Sequence, residues 1–194
     1  MDWRLRLMRR PALNIPGDAH ALTFSCYHRY QFLRCDRMCG WLADSLNTAR
    51  AKLDFRIWAY VFMPEHVHLM IWPAQPVYDI EVILQAIKQP VGRKGIAHLV
   101  KHAPHWLPRV SIQRNGRLRR MLWQPGGGFD SNESEPRAVL GIIEYFHFNP
   151  VRRQLVAQPE DWRWTSAGWC EGKNPLRPDP IDFGGMTVFS RGHE

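Results

Sequence analysis

Two runs of strand formers, residues 55–62 and 66–72, are separated only by Met63-Pro64-Glu65. Both are rich in β-branched and aromatic residues, and a connection this short cannot carry a crossover. The pair is therefore expected to be an antiparallel hairpin. The second run opens with His66-Val67-His68. Side chains alternate faces along a strand, so both imidazoles leave one face while Val67, Leu69 and Ile71 leave the other. Two adjacent imidazoles on a rigid strand make half of a divalent-metal site. The hairpin thus constrains the fold to a sheet protein and marks one sheet face as the floor of a candidate site.

The rest of the chain supplies partners for that hairpin. Residues 20–27 read as a first strand. Residues 36–52 have helical periodicity, with Met38, Trp41, Leu42, Ser45, Leu46 and Ala49 on one side and Asp36 as N-cap. Asp79 is placed to cap a helix over 80–89, which Pro90 is expected to end or bend, with further helix over 91–101. Residues 103–118 carry no clear period, and 119–124 are expected to form a short last strand. Gly126-Gly127-Gly128 gives a flexible loop. Ser134-Glu135-Pro136 opens a helix whose apolar stripe is Val139, Ile142, Ile143 and Phe146. The order strand, helix, strand, strand, helix, strand, helix predicts an α+β fold. Specifically, it is a ferredoxin-like βαββαβ layer with an antiparallel central sheet and an extra C-terminal helix. The expected organisation is a basic arm over 1–18, a catalytic domain over 19–155, and a Trp- and Pro-rich tail over 156–194 packed on the domain.

Charge narrows the partner. The 194 residues carry a net charge of +8. Between Lys88 and Arg120 lie Lys88, Arg93, Lys94, Lys101, Arg109, Arg114, Arg117, Arg119 and Arg120, with no Asp or Glu. Trp106, His98, His102 and His105 are interleaved. Phosphate neutralisation and flat rings for unpaired bases are what a nucleic-acid surface needs. A solvated basic face is the plainer alternative. No apolar run is long enough to span a bilayer, and the N-terminus lacks the apolar core of a signal peptide, so a cytoplasmic location is expected. Cys26, Cys35, Cys39 and Cys170 lack zinc-finger spacing, and Cys35 and Cys39 read as buried reduced thiols.

The last helix contains Glu144-Tyr145-Phe146-His147-Phe148-Asn149-Pro150. Tyr145 and Asn149 are one turn apart and flank the apolar stripe, at the edge of the core. A tyrosine hydroxyl can act as a nucleophile, and an Asn carbonyl oxygen can coordinate a hard cation. Singly, each has a plain reading: an amphipathic edge tyrosine, and a helix terminator at Asn149-Pro150. His147 points to another face.

These pieces together resemble the single-tyrosine transposases named for their histidine–hydrophobic–histidine (HUH) motif. The nearer branch is the REP-associated tyrosine transposases. The resemblance rests on Met63-Pro64-Glu65-His66-Val67-His68, Glu144-Tyr145, Asn149-Pro150-Val151-Arg152, Leu155-Val156, Asp161-Trp162-Arg163-Trp164 and Thr165-Ser166, with Trp123-Gln124 and Gly128-Phe129 upstream. It covers roughly residues 20–170. Gln154 stands where the family commonly has Gly, and Cys26-Tyr27-His28-Arg29 matches the family pattern only loosely. The resemblance implies that His66, His68 and Asn149 hold one Mg²⁺ or Mn²⁺. It also implies that Tyr145 attacks a DNA phosphate to give a 5′-phosphotyrosine and a free 3′-hydroxyl. The expected substrate is single-stranded DNA containing a hairpin. Lys88, Arg93, Lys94, Lys101, Arg114, Arg117, Arg119 and Arg120 are the expected DNA contacts, and a monomer is favoured over a dimer. A replication or conjugation nickase of the wider HUH group, a non-catalytic nucleic-acid-binding protein, and an RNA-binding module remain the alternatives. Glu65 is a weak candidate for the base that deprotonates the tyrosine.

Overall fold

The structure is a computed structural model and describes residues 14–126 and 128–184. Most of the expected N-terminal arm therefore lies outside the described residues, as does the end of the tail. Four strands form one antiparallel sheet: β1 (Ala19–Ser25), β2 (Phe55–Met63), β3 (His66–Pro73) and β6 (Phe129–Glu133), in the order β2-β3-β1-β6. This is the expected ferredoxin-like arrangement, with β1 and β3 in the centre. Register follows the hairpin, with Met63 opposite His66 and Val61 opposite His68. On the other side of β3, Thr23 of β1 lies opposite His68.

The alternation expected along β3 is observed. Val67, Leu69 and Ile71 enter a large core with Leu22 and Phe24 of β1, under helices α1 (Asp36–Leu53) and α2 (Ile80–His102). On the opposite face, Ala19, Ala21, Ala59, Val61, Met63 and Met70 form a second core with Val139, Ile143 and Phe146 of α4 (Pro136–His147). Burying each of those three α4 side chains contributes on the order of 1.5–3 kcal/mol. The same stripe that makes the helix amphipathic thus docks it over the face from which His66 and His68 project.

Four expectations need correction. The fourth sheet strand is 129–133, not 119–124. Its sequence, Phe-Asp-Ser-Asn-Glu, has no apolar alternation, and it joins β1 through the backbone from Ala19–Glu133 to Thr23–Phe129. Residues 117–120 instead form β5 (Arg117–Arg120), paired with β4 (Ser111–Arg114) in a separate two-stranded ribbon. Asn115 and Gly116 both have positive φ, the two-residue turn that suits a hairpin's twist.

Second, α2 runs unbroken through Pro90. Proline removes the donor that would serve Ala86 O, and the Ser45 hydroxyl of α1 faces that carbonyl and Ile87 O at 3.2 and 2.8 Å. Third, Cys35 rather than Asp36 is the N-cap of α1. The Asp36 carboxylate instead accepts from Trp164 Nε1 and Arg163 Nη1, both at 2.7 Å. Fourth, Cys35 is exposed, whereas Cys39 is buried.

The C-terminal segment covers the open edge of β2. Trp162 Nε1 donates to Phe62 O, Ser166 N donates to Tyr60 O, and Asp179 N donates to Ile57 O. Trp164 stacks on Phe62 with ring centroids 5.9 Å apart. An edge strand of this length would otherwise expose unpaired backbone groups, and here those of Ile57, Tyr60 and Phe62 are satisfied by the tail. Residues 107–110 form a one-turn helix, α3 (Leu107–Val110), and residues 149–152 another, α5 (Asn149–Arg152).

Candidate active site

The histidine pair lies in the described interior where β3 meets the end of α4. His66 and His68 are each 6% exposed and Asn149 8%. Their polar atoms converge: His66 Nε2 is 3.0 Å from His68 Nε2, which is 2.8 Å from Asn149 Nδ2. The outer ring nitrogens are committed elsewhere. His66 Nδ1 faces Glu65 Oε1 at 3.0 Å, and His68 Nδ1 faces Thr23 Oγ1 at 2.8 Å. An ionised carboxylate can only accept, so His66 carries its proton on Nδ1 and, when neutral, turns a bare lone pair inward. The Thr23 hydroxyl can accept from Nδ1–H or donate to Nδ1; in the tautomer with the proton on Nδ1, His68 Nε2 is bare as well.

In that tautomer two bare nitrogens face each other at 3.0 Å, an arrangement a cation between them relieves, whereas a proton on His68 Nε2 makes the same contact an N–H···N hydrogen bond. Ligands about 2.1 Å from one ion at right angles are about 3.0 Å apart, the spacing of these two nitrogens. A half-turn of the Asn149 amide brings Oδ1 to the same point, a carbonyl oxygen suited to a hard cation. The residues therefore fit one divalent metal. Among the described residues no group of three or more His, Cys, Asp or Glu forms such a cluster, and here the third donor is an amide.

The electrostatics agree. Burial, then the charges of His66, Arg152 and Arg29, hold His68 well below the ordinary imidazole range, against an opposing pull from Glu65. His68 thus stays neutral, the form that ligates metal. Burial alone would raise the Glu65 carboxyl. Hydrogen bonds and charge from His66 and Arg153 outweigh it and bring it down to about 2. Glu65 Oε1 faces His66, Arg153 and Arg29, the last at 3.2 Å. Glu65 Oε2 has no hydrogen-bond partner among the described residues, but a carboxylate so weakly basic is poorly suited to deprotonating a tyrosine.

Tyr145 enters from α4. Its ring centroid is 6.2 Å from that of His68, and Phe146 stacks on His68 at 4.7 Å. The Arg152 guanidinium lies 4.0 Å from the Tyr145 ring centroid and also donates to the Tyr145 carbonyl. The i, i+4 relation to Asn149 is carried across a joint: α4 ends at His147, Phe148 is the intervening residue, and Asn149 opens α5 with Pro150 in its first turn. His147 stands apart from the pair, with Nε2 2.8 Å from Ser166 Oγ in the tail.

The proposed DNA contacts divide. Arg93, Lys94 and Lys101 are exposed on α2, and Arg114, Arg117, Arg119 and Arg120 are exposed on the β4–β5 ribbon. Lys88 differs: it is half-buried, and its ammonium donates to Gly126 O at 2.8 Å and sits over the Phe24 ring. It holds the glycine-rich loop rather than facing solvent.

Sequence reasoning missed Thr23, Arg29, Arg152 and Arg153. Arg152 lay inside a quoted motif, but none of the four has a local signature, because each matters through register or a contact distant in sequence.

No protein-family model and no curated protein matches the sequence. Solved structures do. One is a REP-associated tyrosine transposase bound to a REP hairpin, with a TM-score of 0.61 and 18% identity over 91% of this chain and 100% of that one. The chain has the fold of that transposase. A second, from Deinococcus radiodurans R1 and described provisionally as a transposase, has a TM-score of 0.44 at 21% identity, covering 76% of this chain and 96% of that one.

Proposed function

We propose that this protein is a metal-dependent single-stranded DNA endonuclease and strand transferase of the REP-associated tyrosine transposase kind. The observation that carries the reading is the convergence of His66 Nε2, His68 Nε2 and the Asn149 amide beside the helix that bears Tyr145. His66, His68 and Asn149 would hold one Mg²⁺ or Mn²⁺. Such an ion, when bound, polarises a scissile phosphate and offsets charge developing on its oxygens.

The chain's own residues do the rest. The Tyr145 oxygen attacks phosphorus in line, a P–O bond to tyrosine forms, and the bond to the 3′ oxygen breaks. The phenolic proton leaves to solvent or substrate, and the 3′ oxygen gains one. The products are a 5′-phosphotyrosine and a 3′-hydroxyl. Because phosphodiester energy is kept in the covalent link, a second 3′-hydroxyl can reverse the step without ATP. Arg152, stacked on the ring and bonded to the backbone of Tyr145, limits the directions in which the phenol can point.

The exposed arginines of the β4–β5 ribbon and the exposed cations of α2 supply the phosphate contacts. The substrate on this reading is a single strand with a hairpin, as the similar transposase is bound to a REP hairpin. The test is incubation with Mn²⁺ and labelled hairpin-containing single-stranded DNA. A covalent protein–DNA adduct is expected from the wild type and not from Tyr145→Phe. An adduct that survives Tyr145→Phe removes the assigned nucleophile, and the absence of any adduct favours a protein that only binds nucleic acid.

A further inference from the structure

The β4–β5 ribbon stands clear of the domain. All four residues of β5 are exposed, as are Gln113 and Arg114 of β4. Its base is fixed: Met121 N donates to Val110 O, and Val110 and Leu122 are buried in the large core. The chain beyond it is tied to the end of β1, where Tyr27 N donates to Leu122 O and Gln124 N donates to Ser25 O. Ser25 lies opposite His66. The ribbon is therefore rooted at the end of the sheet that carries the candidate active site.

Register sorts its side chains onto two faces. Arg114 lies opposite Arg117 and Ile112 opposite Arg119 on one face, and Gln113 lies opposite Leu118 and Ser111 opposite Arg120 on the other. Like charges directly opposite one another destabilise a ribbon. Arg114 and Arg117 keep that arrangement with Arg119 beside them. The sequence 111–120 holds no Asp or Glu, and no carboxylate pairs with these three arginines among the described residues. A polyanion relieves the repulsion. The second face has other chemistry. Leu118 is 58% exposed, with the Gln113 amide across from it. An amide that can bond adenine N6 and N7, beside an apolar group that can meet a thymine methyl, matches an A·T pair seen from the DNA major groove.

The dimensions agree. Two strands of four residues make a ribbon about 13 Å long with its strands about 4.8 Å apart. The major groove is about 12 Å wide and about 8.5 Å deep, and it admits a two-stranded ribbon. With the Gln113–Leu118 face on the groove floor, the phosphates of the rim stand near the level of the opposite face. Arg114, Arg117 and Arg119 then have phosphates on either side of them.

We infer that the β4–β5 ribbon enters the major groove of the paired stem of a DNA hairpin, where Gln113 and Leu118 read an A·T pair. The inference rests on the proposed function, since it takes the hairpin-containing strand to be the substrate, and it adds recognition of duplex to a site that acts on single strand. Because the ribbon is rooted beside Ser25, a stem held by it keeps its single-stranded flank at the sheet end that bears His66.

The test uses the full chain and a pool of DNA hairpins with fixed single-stranded flanks and a randomised paired stem, from which bound molecules are recovered and sequenced. The wild type is expected to enrich A·T at one stem position. Titrated singly, hairpins with G·C there should bind roughly 5- to 150-fold more weakly. Uracil in place of the thymine removes only the methyl, and should weaken binding by the wild type but not by Leu118→Ala. Gln113→Ala should lose most of the preference for A·T. Both side chains are exposed, so neither substitution disturbs the core. A recovered pool with no A·T preference in the stem overturns the inference, as does a preference that both variants retain. Stemless single strands bound as tightly as the hairpins overturn it too. A Tyr145-dependent adduct without stem preference removes the ribbon's role and leaves the proposed function standing. A stem preference that the variants lose, without any adduct, does the reverse.

Discussion

Glu65→Ala isolates what holds the histidine strand to the tyrosine helix. The Glu65 side chain is 5% exposed, and its Oε1 faces His66, Arg153 and Arg29. The three partners are not equal. Arg29 is 66% exposed, so its pair with Glu65 contributes under about 1 kcal/mol. Arg153 is 38% exposed and contributes an intermediate amount. His66 is buried, and losing its acceptor leaves Nδ1–H unsatisfied at about 1–3 kcal/mol. The summed cost in stability is about 2–4 kcal/mol, measurable by chemical denaturation. The more specific effect is on metal. Without Glu65 the His66 ring is free to take the other tautomer, with its proton on Nε2 facing His68. Loss of such an outer partner typically costs about 10- to 100-fold in metal affinity. Titrating Mn²⁺ by calorimetry or electron paramagnetic resonance reads this directly. A variant that is destabilised yet binds Mn²⁺ like the wild type would refute the tautomer argument.

Three further outcomes follow from the same geometry. The Glu65 carboxyl sits at about 2 in the folded protein against an ordinary 4.5, so its stabilisation is fully present above pH 4.5 and lost as pH falls toward 2. Glu65→Gln should flatten the stability curve over that window, and unchanged acid sensitivity would count against the ion pairs. At Gly128, φ is +90° and an added Cβ would lie 2.2 Å from Thr23 O, so Gly128→Ala should cost about 2–4 kcal/mol in denaturation experiments and loosen the Thr23–His68 contact with it. On the β4–β5 ribbon, Arg117 and Arg119 face the same side as Arg114, with no carboxylate paired to them among the described residues; each Arg→Ala should lower the slope of log affinity against log salt by about 1, and an unchanged slope would take the ribbon out of the DNA interface.

The legible parts of this fold were those where side chains repeat with a period. The 55–73 hairpin, the stripe of α1 and the stripe Val139, Ile143, Phe146 could be read because burial imposes a 2.0 or 3.6 spacing on apolar residues. The strand 129–133 could not, because an edge strand joined through its backbone needs no apolar alternation. The ribbon at 111–120 is signalled only by Asn115-Gly116, because its flanking strands are mostly arginine and polar and carry no apolar alternation. Pro90 misled for a different reason: its cost is local, but its remedy is Ser45, 45 residues away. The site divides in the same way. His66 and His68 share a strand and Tyr145 and Asn149 share a turn, so their pairing is visible in one dimension. Thr23 meets His68, and Arg29 and Arg153 meet Glu65, only through strand register and docking, which sequence spacing does not encode. In the sequence Lys88 is one more cation in a basic run; only the fold sets its ammonium on Gly126 O.

The central claim is that the His66–His68–Asn149 cluster and Tyr145 act on one phosphate. Mass spectrometry of the proteolysed reaction with Mn²⁺ and hairpin DNA tests it most directly. The account predicts a nucleotide linked through phosphate to the peptide containing Tyr145, absent from Asn149→Ala and from metal-free reactions. A nucleotide found on any other residue, or on Tyr145 with equal yield after Asn149→Ala, would contradict it.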